Sequence, residues 1–186
     1  MSPPRTIAVY CGANDGRNPA YRTAAHELGR HLAARGIRLV YGGGATGLMG
    51  VVADAVLGAG GEVTGVIPAF MQDKEYIHTG LDELHVRASM HERKATMLDL
   101  ADAVIALPGG IGTLDELIEA MAWTQLGIHG ISCGLLDADG FWDPFVQMLD
   151  HCVNEGFVTA ATRDSVIRSS DPAWLVDAVI GTHLPS

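Results

Sequence analysis

The sequence lacks the features of a secreted or membrane-bound protein. Its three cysteines lie far apart and have no CxxC spacing, which is typical of reduced thiols in a cytosolic protein. The opening residues MSPPRTIAVYCG do not join a charged start to a long apolar run, so they predict no signal peptide. The uncharged run over residues 39–53 is shorter than the roughly 20 apolar residues of a membrane helix. We therefore expect a cytoplasmic protein without a membrane partner.

Positive charge is also scarce. The chain has 12 Lys and Arg against 22 Asp and Glu, giving a formal net charge of -10. No general positive field is available to attract DNA or RNA, so we expect no nucleic-acid partner, and any anionic ligand must be bound locally. With 186 residues, 48% of them hydrophobic, the chain suits one folded domain over 1–186.

Common metal and nucleophile motifs are missing as well. His26 and His31 in HELGRH are five residues apart, whereas the metalloprotease motif H-E-x-x-H needs four. The other histidines lack metal-ligand spacing, and there is no G-x-S-x-G elbow. We expect no metal and no organic cofactor.

Short apolar runs alternate with amphipathic segments of helical length. The runs TIAVYCG, IRLVYGG, EVTGVIP, AVIALPG and ISCGLLDA are typical of buried parallel strands. Apolar spacings of three and four residues predict helices over 19–35, 47–59, 90–101, 113–126, 141–155 and 172–180, the last with Asp171 as its N-cap. This alternation predicts an α/β, Rossmann-like open parallel sheet with helices on both faces.

In such folds ligands bind outside the carboxyl ends of the strands, which directs attention to the loops CGANDG, YGGGATG and PGGIGT. The long irregular stretch 68–87 is either a functional loop or a weakly patterned short helix and strand.

The YGGGATG loop contains a G-x-G-x-x-G pattern at Gly42, Gly44 and Gly47. A dinucleotide site normally places this pattern after the first strand and an acid at the end of the next, whereas here it follows the second strand and Glu62 begins the next. NAD binding is therefore disfavoured. Gly47 and Gly50 suit a tight turn into a closely packed helix, while the backbone N–H groups of the loop can still approach a phosphate or sugar.

The PGGIGT loop is the better candidate for an anion site. Gly109, Gly110 and Gly112 free the backbone to present its amides, and the helix that follows adds the positive end of its dipole. Thr113 and Glu116 also have the T-x-x-E spacing of a capping box, which is a purely structural alternative.

The segment SMHERKATM carries a second constellation. Ser89 and Glu92 form a capping-box pattern, but the adjacent Arg93 and Lys94 oppose the helix dipole in a chain with two lysines. A nearby anionic ligand reverses that penalty. The alternative is a pair of surface charges, or salt bridges to Glu92 or Asp99.

Together, MHERKATM and LPGGIGTLDE resemble the signature of the LOG family, the cytokinin riboside 5'-monophosphate phosphoribohydrolases, formerly labelled possible lysine decarboxylases. The resemblance extends over most of the chain, through VYCGANDG, LVYGGGATGLMG, WTQLGIHG and GLLDADGFWDPFVQMLD. It implies an enzyme that hydrolyses the N-glycosidic bond of an N6-modified AMP to free base and ribose 5-phosphate. It also implies a homodimer with active sites near the interface.

By the same resemblance, Arg93 and Glu116 form the catalytic pair. The resemblance gives substrate contacts to Gly43, Gly44, Glu75, Met90, Lys94, Gly109, Gly110, Ile111, Gly112, Thr113, Leu114 and Asp115. One departure concerns the helix after the glycine loop, where family members often carry Thr before the Trp but this chain has Ala122, with Thr124 just after Trp123.

Two other functions compete with hydrolysis. A non-catalytic carrier of a nucleotide or of a phosphorylated, molybdopterin-type cofactor would use similar glycine loops. A decarboxylase would need a pyridoxal phosphate Schiff base on Lys74 or Lys94, and neither lies in an apparent cofactor site.

Overall fold

A computed structural model describes residues 5–72 and 77–181. Its centre is a seven-stranded, entirely parallel sheet with the strand order β4-β3-β2-β1-β5-β6-β7. The strands are β1 (Thr6–Tyr10), β2 (Arg38–Tyr41), β3 (Val63–Pro68), β4 (Glu83–Arg87), β5 (Ala103–Ala106), β6 (Ser132–Leu136) and β7 (Val166–Ser169). The predicted Rossmann-like open sheet is confirmed.

Helices cover both faces of this sheet. They are α1 (Pro19–Ala34), α2 (Gly47–Gly58), α3 (Met90–Asp99), α4 (Ile111–Gln125), α5 (Asp143–Asn154), α6 (Ala160–Asp164) and α7 (Pro172–Gly181). Alternate residues of β1 point to opposite faces: Ile7 and Val9 join the core beneath α1, α2 and α7, whereas Ala8 and Tyr10 join the core beneath α3, α4 and α5. The two apolar layers explain why the central strands read as continuous hydrophobic runs.

Three short elements escaped the sequence prediction. Both edge strands, β4 and β7, carry charged residues and are partly exposed, so they do not resemble buried runs. The five-residue helix α6 is too short for a periodic pattern. The short helix and strand predicted for residues 68–87 are present in the described part, as a 3-10 turn at Ala69–Met71 and then β4, and a functional role of this stretch stays a prediction.

The sheet topology also fixes where a ligand can bind. From β1 the chain proceeds outward through β2, β3 and β4, then returns to place β5 on the other side of β1. The loops after β1 and β5 therefore diverge at the switch point of the sheet, which opens a crevice between them. Across the described ranges, none of the helices has both the length and the apolar character to cross a membrane.

Candidate active site

A cavity of about 440 Å³ lies in this crevice at the carboxyl end of the sheet. Its floor and rim come from the loop after β1, the start of the loop after β2 and the loop after β5. Its lining residues include Gly12, Ala13, Asn14, Asp15, Gly16, Gly42, Pro108, Gly109, Gly110 and Gly112, with the side chains of Tyr21, Met49, Met71, Met90, Arg93, Thr113, Glu116 and Phe141.

Hydrogen bonds tie the three loops to one another. Gly12 N donates to Pro108 O at 3.0 Å, and Met49 N donates to Gly12 O at 3.3 Å. The Thr46 hydroxyl donates to Ala13 O at 3.2 Å. The loop after β1 is therefore held between the two glycine-rich loops.

The helix α4 begins at the PGGIGT loop, two residues earlier than predicted. Gly110 is its N-cap and has no side chain to satisfy the first amides, and the first intrahelical bond runs from Leu114 N to Gly110 O at 3.1 Å. The amides of Ile111, Gly112 and Thr113 precede that bond, so helix geometry leaves them available to an anion.

The capping box predicted as an alternative for Thr113 and Glu116 is wrong. Because α4 starts at Ile111, Thr113 lies inside the first turn, where it is 3% exposed and cannot act as the N-cap. Its hydroxyl packs against Gly109, where an added Cβ would lie 2.0 Å from Thr113 Oγ1. Glu116 therefore does not cap the helix, and its side chain points to α3.

Arg93 and Glu116 meet at the cavity wall. Arg93 is 8% exposed, and its Nη1 donates to Glu116 Oε1 at 2.7 Å while its Nε donates to Val66 O at 2.9 Å. Gly42 makes room for the guanidinium, because a Cβ at this position would lie 2.4 Å from Arg93 Nη2. The alternative of a solvated surface charge is wrong for Arg93.

Burial dominates the charge state of Glu116. Desolvation raises the pKa of this carboxyl above its ordinary value, and the Coulombic attraction and hydrogen bond of Arg93 oppose the rise. Glu116 therefore holds a proton more readily than an exposed glutamate does.

Lys94 faces two carboxylates on α4. Its Nζ donates to Asp115 Oδ2 at 2.9 Å and to Glu119 Oε2 at 2.8 Å. Partial burial lowers the pKa of Lys94, but the hydrogen bonds to Glu119 and Asp115 outweigh it, and the net pKa is raised. The salt-bridge partners predicted for this cation, Glu92 and Asp99, are not those observed.

The Ser89 cap is confirmed. The Ser89 hydroxyl accepts a hydrogen bond from Glu92 N at 3.1 Å, and Glu92 Oε2 accepts one from Ala88 N at 3.0 Å. The cap predicted for the last helix is also confirmed, since Asp171 Oδ1 accepts from Ala173 N and Trp174 N.

In the second glycine loop, YGGGATG, two glycines form hydrogen bonds with other residues of the protein. Gly43 O accepts a hydrogen bond from His78 N at 2.9 Å, while Gly44 pairs with Ile77 and accepts from the Tyr41 hydroxyl at 3.1 Å. Within the described residues of this loop, Gly42 lines the cavity, whereas Gly43 and Gly44 have these protein partners. Gly47 has φ 60° and lies against Ala13, which bears out the prediction of a tight, closely packed turn.

The other predicted site residues are placed as follows. Met90 lines the cavity together with the glycine loop. The side chain of Ile111 is 82% exposed, that of Leu114 packs on the core beneath α4, and that of Asp115 bonds Lys94. Glu75, like Lys74, lies outside the described residues.

Several cavity residues were missed, above all Tyr21, Met49, Met71 and Phe141. Tyr21 and Phe141 pack edge to face with ring centroids 5.5 Å apart, which joins the start of α1 to the loop after β6. The CGANDG loop, predicted to lie at the ligand-binding edge, borders this region, but the sequence has no local signal that pairs a tyrosine with a phenylalanine so distant in the chain.

Thr124 does not compensate for Ala122 by reaching the cavity loops. Its hydroxyl is within hydrogen-bonding distance of Ala120 O and Ile131 O, each at 3.0 Å, near the end of α4 opposite Gly110. Thr124 therefore does not replace the hydroxyl contact of the threonine that family members often carry at position 122.

Comparison with known proteins identifies relatives over nearly the whole chain. The family model described as possible lysine decarboxylase matches residues 49–179. Cytokinin riboside 5'-monophosphate phosphoribohydrolase LOG of Oryza sativa subsp. japonica is 49% identical over 92% of this chain and 71% of its own length. A cytokinin riboside 5'-monophosphate phosphoribohydrolase of Rhodococcoides fascians is 45% identical over 95% of this chain and 89% of its own.

Among solved structures, a molybdenum cofactor binding protein from Rippkaea orientalis superposes with a TM-score of 0.74 at 20% identity, covering 97% of this chain and 98% of its own. At 20% identity, that likeness shows a shared fold alone. The matched segment 49–179 contains both MHERKATM and LPGGIGTLDE, and the two phosphoribohydrolases match nearly all of the sequence. The chain therefore belongs to the LOG family, whose family model carries the older description possible lysine decarboxylase.

Proposed function

We propose that this protein hydrolyses the N-glycosidic bond of adenosine 5'-monophosphate or its N6-modified forms, releasing the free base and ribose 5-phosphate. The observation that carries the proposal is the buried Arg93–Glu116 pair, which shares one cavity wall with the exposed amide end of α4. The names of the family relatives agree with this reaction.

The glycine loop provides the site for the 5'-phosphate. Gly109, Gly110 and Gly112 line the cavity, and backbone amides at a helix N-terminus bind phosphate without a positive side chain. This explains how a protein with a net charge of -10 holds an anionic substrate. Binding at the phosphate then orients the sugar for the reaction at its other end.

Glu116 follows the phosphate loop by one helical turn, which places its carboxylate in the role of sugar stabiliser. Cleavage of the bond to the base leaves its electron pair on the purine and creates an oxocarbenium-like ribose, which an ionised carboxylate stabilises. Water then adds to the anomeric carbon, and the proton that the water loses balances the proton that the departing purine takes up to become the neutral free base. Arg93 carries the complementary charge and binds the nucleotide or the departing base, while Met90 contributes an apolar wall.

The test is an assay of AMP and N6-isopentenyl-AMP with the purified protein and no added cofactor. We expect base and ribose 5-phosphate in equal amounts, and a loss of kcat of about 10²- to 10³-fold in Glu116→Gln and in Arg93→Ala. The matched control is Glu62→Gln, which alters an exposed carboxylate paired with Arg38 outside the cavity.

Full activity of the Glu116 and Arg93 variants would contradict the assigned roles. Tight binding of nucleotides, or of a phosphorylated pterin, with no base released from any of them would instead favour the carrier function.

We further propose a homodimer with the active sites near its interface. Three apolar side chains of α4 and its C-cap are exposed: Ile111 and Ile118 in the helix are 82% and 52% exposed, and the C-cap Leu126 is 72% exposed. At 100° per residue they fall within about 80° of one another around the helix axis, on a largely apolar face that also carries Asp115. This face begins at the phosphate loop, which is why pairing there would bring the partner close to the site.

We also propose that the enzyme acts in the cytoplasm. Its three cysteines are free, and Cys11 and Cys133 are buried. Free thiols without pairing partners suit a reducing compartment.

A further inference from the structure

A second bridge between α3 and α4 runs beside the Arg93–Glu116 pair. Lys94, the residue after Arg93, contacts Glu119 and Asp115 of α4 at 2.8 and 2.9 Å. The Lys94 and Glu119 side chains are largely buried, whereas that of Asp115 is exposed. Consecutive residues of one helix therefore make parallel ion pairs to the next.

These ion pairs add to the apolar contacts between the two helices, which share one core cluster and an edge-to-face contact of His91 on α3 with Trp123 on α4. The backbone of α3 packs on β3 and β4, while that of α4 packs on β1, β5 and β6, so the two helices lie over different strands of the sheet. Their relative position therefore depends on the side-chain ion pairs as well as on this apolar packing.

The Arg93–Glu116 pair is poorly suited to be the permanent bridge. Under the proposed function, on which this inference rests, both residues must turn from each other toward the substrate. We infer that Glu119 is a positioning residue, which holds Lys94 as a lasting tie between α3 and α4 while Arg93 and Glu116 exchange their mutual contact for the substrate.

The hydrogen bonding of Glu119 supports a role beyond stability. Its Oε2 accepts from Lys94, but its Oε1 is buried and has no hydrogen-bond partner among the described residues. A buried carboxylate oxygen without a donor is unfavourable, so a tie selected for stability alone would be better made by apolar side chains.

The Lys94 cation also acts on the pKa of Glu116. Burial contributes most to the raised pKa of Glu116, Arg93 lowers the pKa, Asp115 raises it and Lys94 lowers it. The other ionisable groups that face it are Glu119 on α4 and, from β1 and its following loop, Tyr10 and Cys11, whose own pKa values burial and Glu116 raise. Loss of the Lys94 cation therefore raises the pKa of Glu116 further.

The experiment compares Glu119→Gln, Lys94→Met, Lys94→Arg and the double variant Lys94→Met/Glu119→Gln with the wild type, assaying base release well below each melting temperature. We expect Glu119→Gln and Lys94→Met each to lower kcat about tenfold, because small displacements of reacting groups are costly, with KM changed less than about threefold. The double variant should be no worse than Lys94→Met, since both changes remove one bridge.

Two readouts separate positioning from a merely structural role. Lys94→Arg should recover part of the activity that Lys94→Met loses, and the acid limb of the Lys94→Met pH profile should move to higher pH. The matched control is Glu92→Gln, whose carboxylate lies on α3 and accepts from Ala88 N, and which should keep the wild-type kcat.

A wild-type kcat in Glu119→Gln, or fully additive losses in the double variant, would overturn the inference. If Glu119→Gln does not fold, Lys94→Met and Lys94→Arg decide it: equal kcat in both, matching the wild type, contradicts the tie. If the wild type releases no base, the proposed function is contradicted before any variant is compared, and this inference is contradicted with it.

Discussion

At the scale of single residues, the chemistry centres on a carboxylate subject to opposing effects. Glu116 is buried, which favours its neutral form, and it contacts Arg93, which favours its charged form. Burial dominates, so the pKa of Glu116 is raised. Stabilisation of a positive ribose needs the charged form.

This balance predicts the acid limb of the pH profile. Because the ionised form is active, activity should be complete above the pKa of Glu116 in the folded protein and lost as the pH falls through it. We expect the midpoint of that limb in kcat/KM to lie above the ordinary glutamate pKa of about 4.3. Assays of base release between pH 4 and 8 measure it, and a midpoint at or below the ordinary value would contradict the prediction.

At the scale of secondary-structure elements, the first turn of α4 contains a glycine, which lowers the stability of the helix but leaves its cavity face open. Gly112 lies in that turn and lines the cavity, and a Cβ at this position would meet no protein atom within 4 Å. Packing therefore does not require a glycine here. A phosphate seated on the helix amides does, because it would occupy the space that a methyl group takes.

Gly112→Ala should accordingly stabilise the protein while weakening nucleotide binding. We expect a gain of roughly 0.5 kcal/mol in the free energy of unfolding, since alanine is the better helix former. AMP affinity, measured by calorimetry in a Glu116→Gln background to prevent turnover, should fall about tenfold, which corresponds to 1.4 kcal/mol.

Gly58→Ala is the matched control for this prediction. Gly58 is an exposed residue of α2 at which a Cβ also meets no atom within 4 Å, and it lies away from the cavity. It should stabilise the protein without changing AMP affinity. Undiminished AMP binding by Gly112→Ala would argue against a phosphate on this turn.

At the scale of the whole molecule, the apolar face of α4 predicts how copies associate. Ile118→Asp places a charge at the centre of the face formed by Ile111, Ile118 and Leu126. We expect the variant to sediment as a monomer and to lose activity, because the face adjoins the phosphate loop. Phe157→Asp, at an exposed apolar residue that follows α5, is the control and should remain dimeric and active. A dimeric Ile118→Asp variant would contradict the proposed interface.

The order of elements was accessible from the sequence because its signals are local. In the described part of the chain, apolar runs and helical spacings located the five inner strands and six of the seven α-helices. Ser89 and Asp171 marked two helix starts through side chains that bond their own neighbours. The edge strands β4 and β7 gave no such signal, because an exposed strand needs no apolar run and pairs through its backbone.

By itself, therefore, the sequence determined the parallel Rossmann-like sheet, the glycine loop at the end of β5 and the family signature. The tertiary structure alone decided which groups meet. It pairs Arg93 with Glu116, and Lys94 with Asp115 and Glu119. It also places Gly43 and Gly44 in contact with other residues of the protein. The physical reason is the separation along the chain over which each interaction acts. Periodicity, capping and turn chemistry act over a few residues, whereas the partner of a buried charge is set by how α3 and α4 are carried on different strands of one sheet.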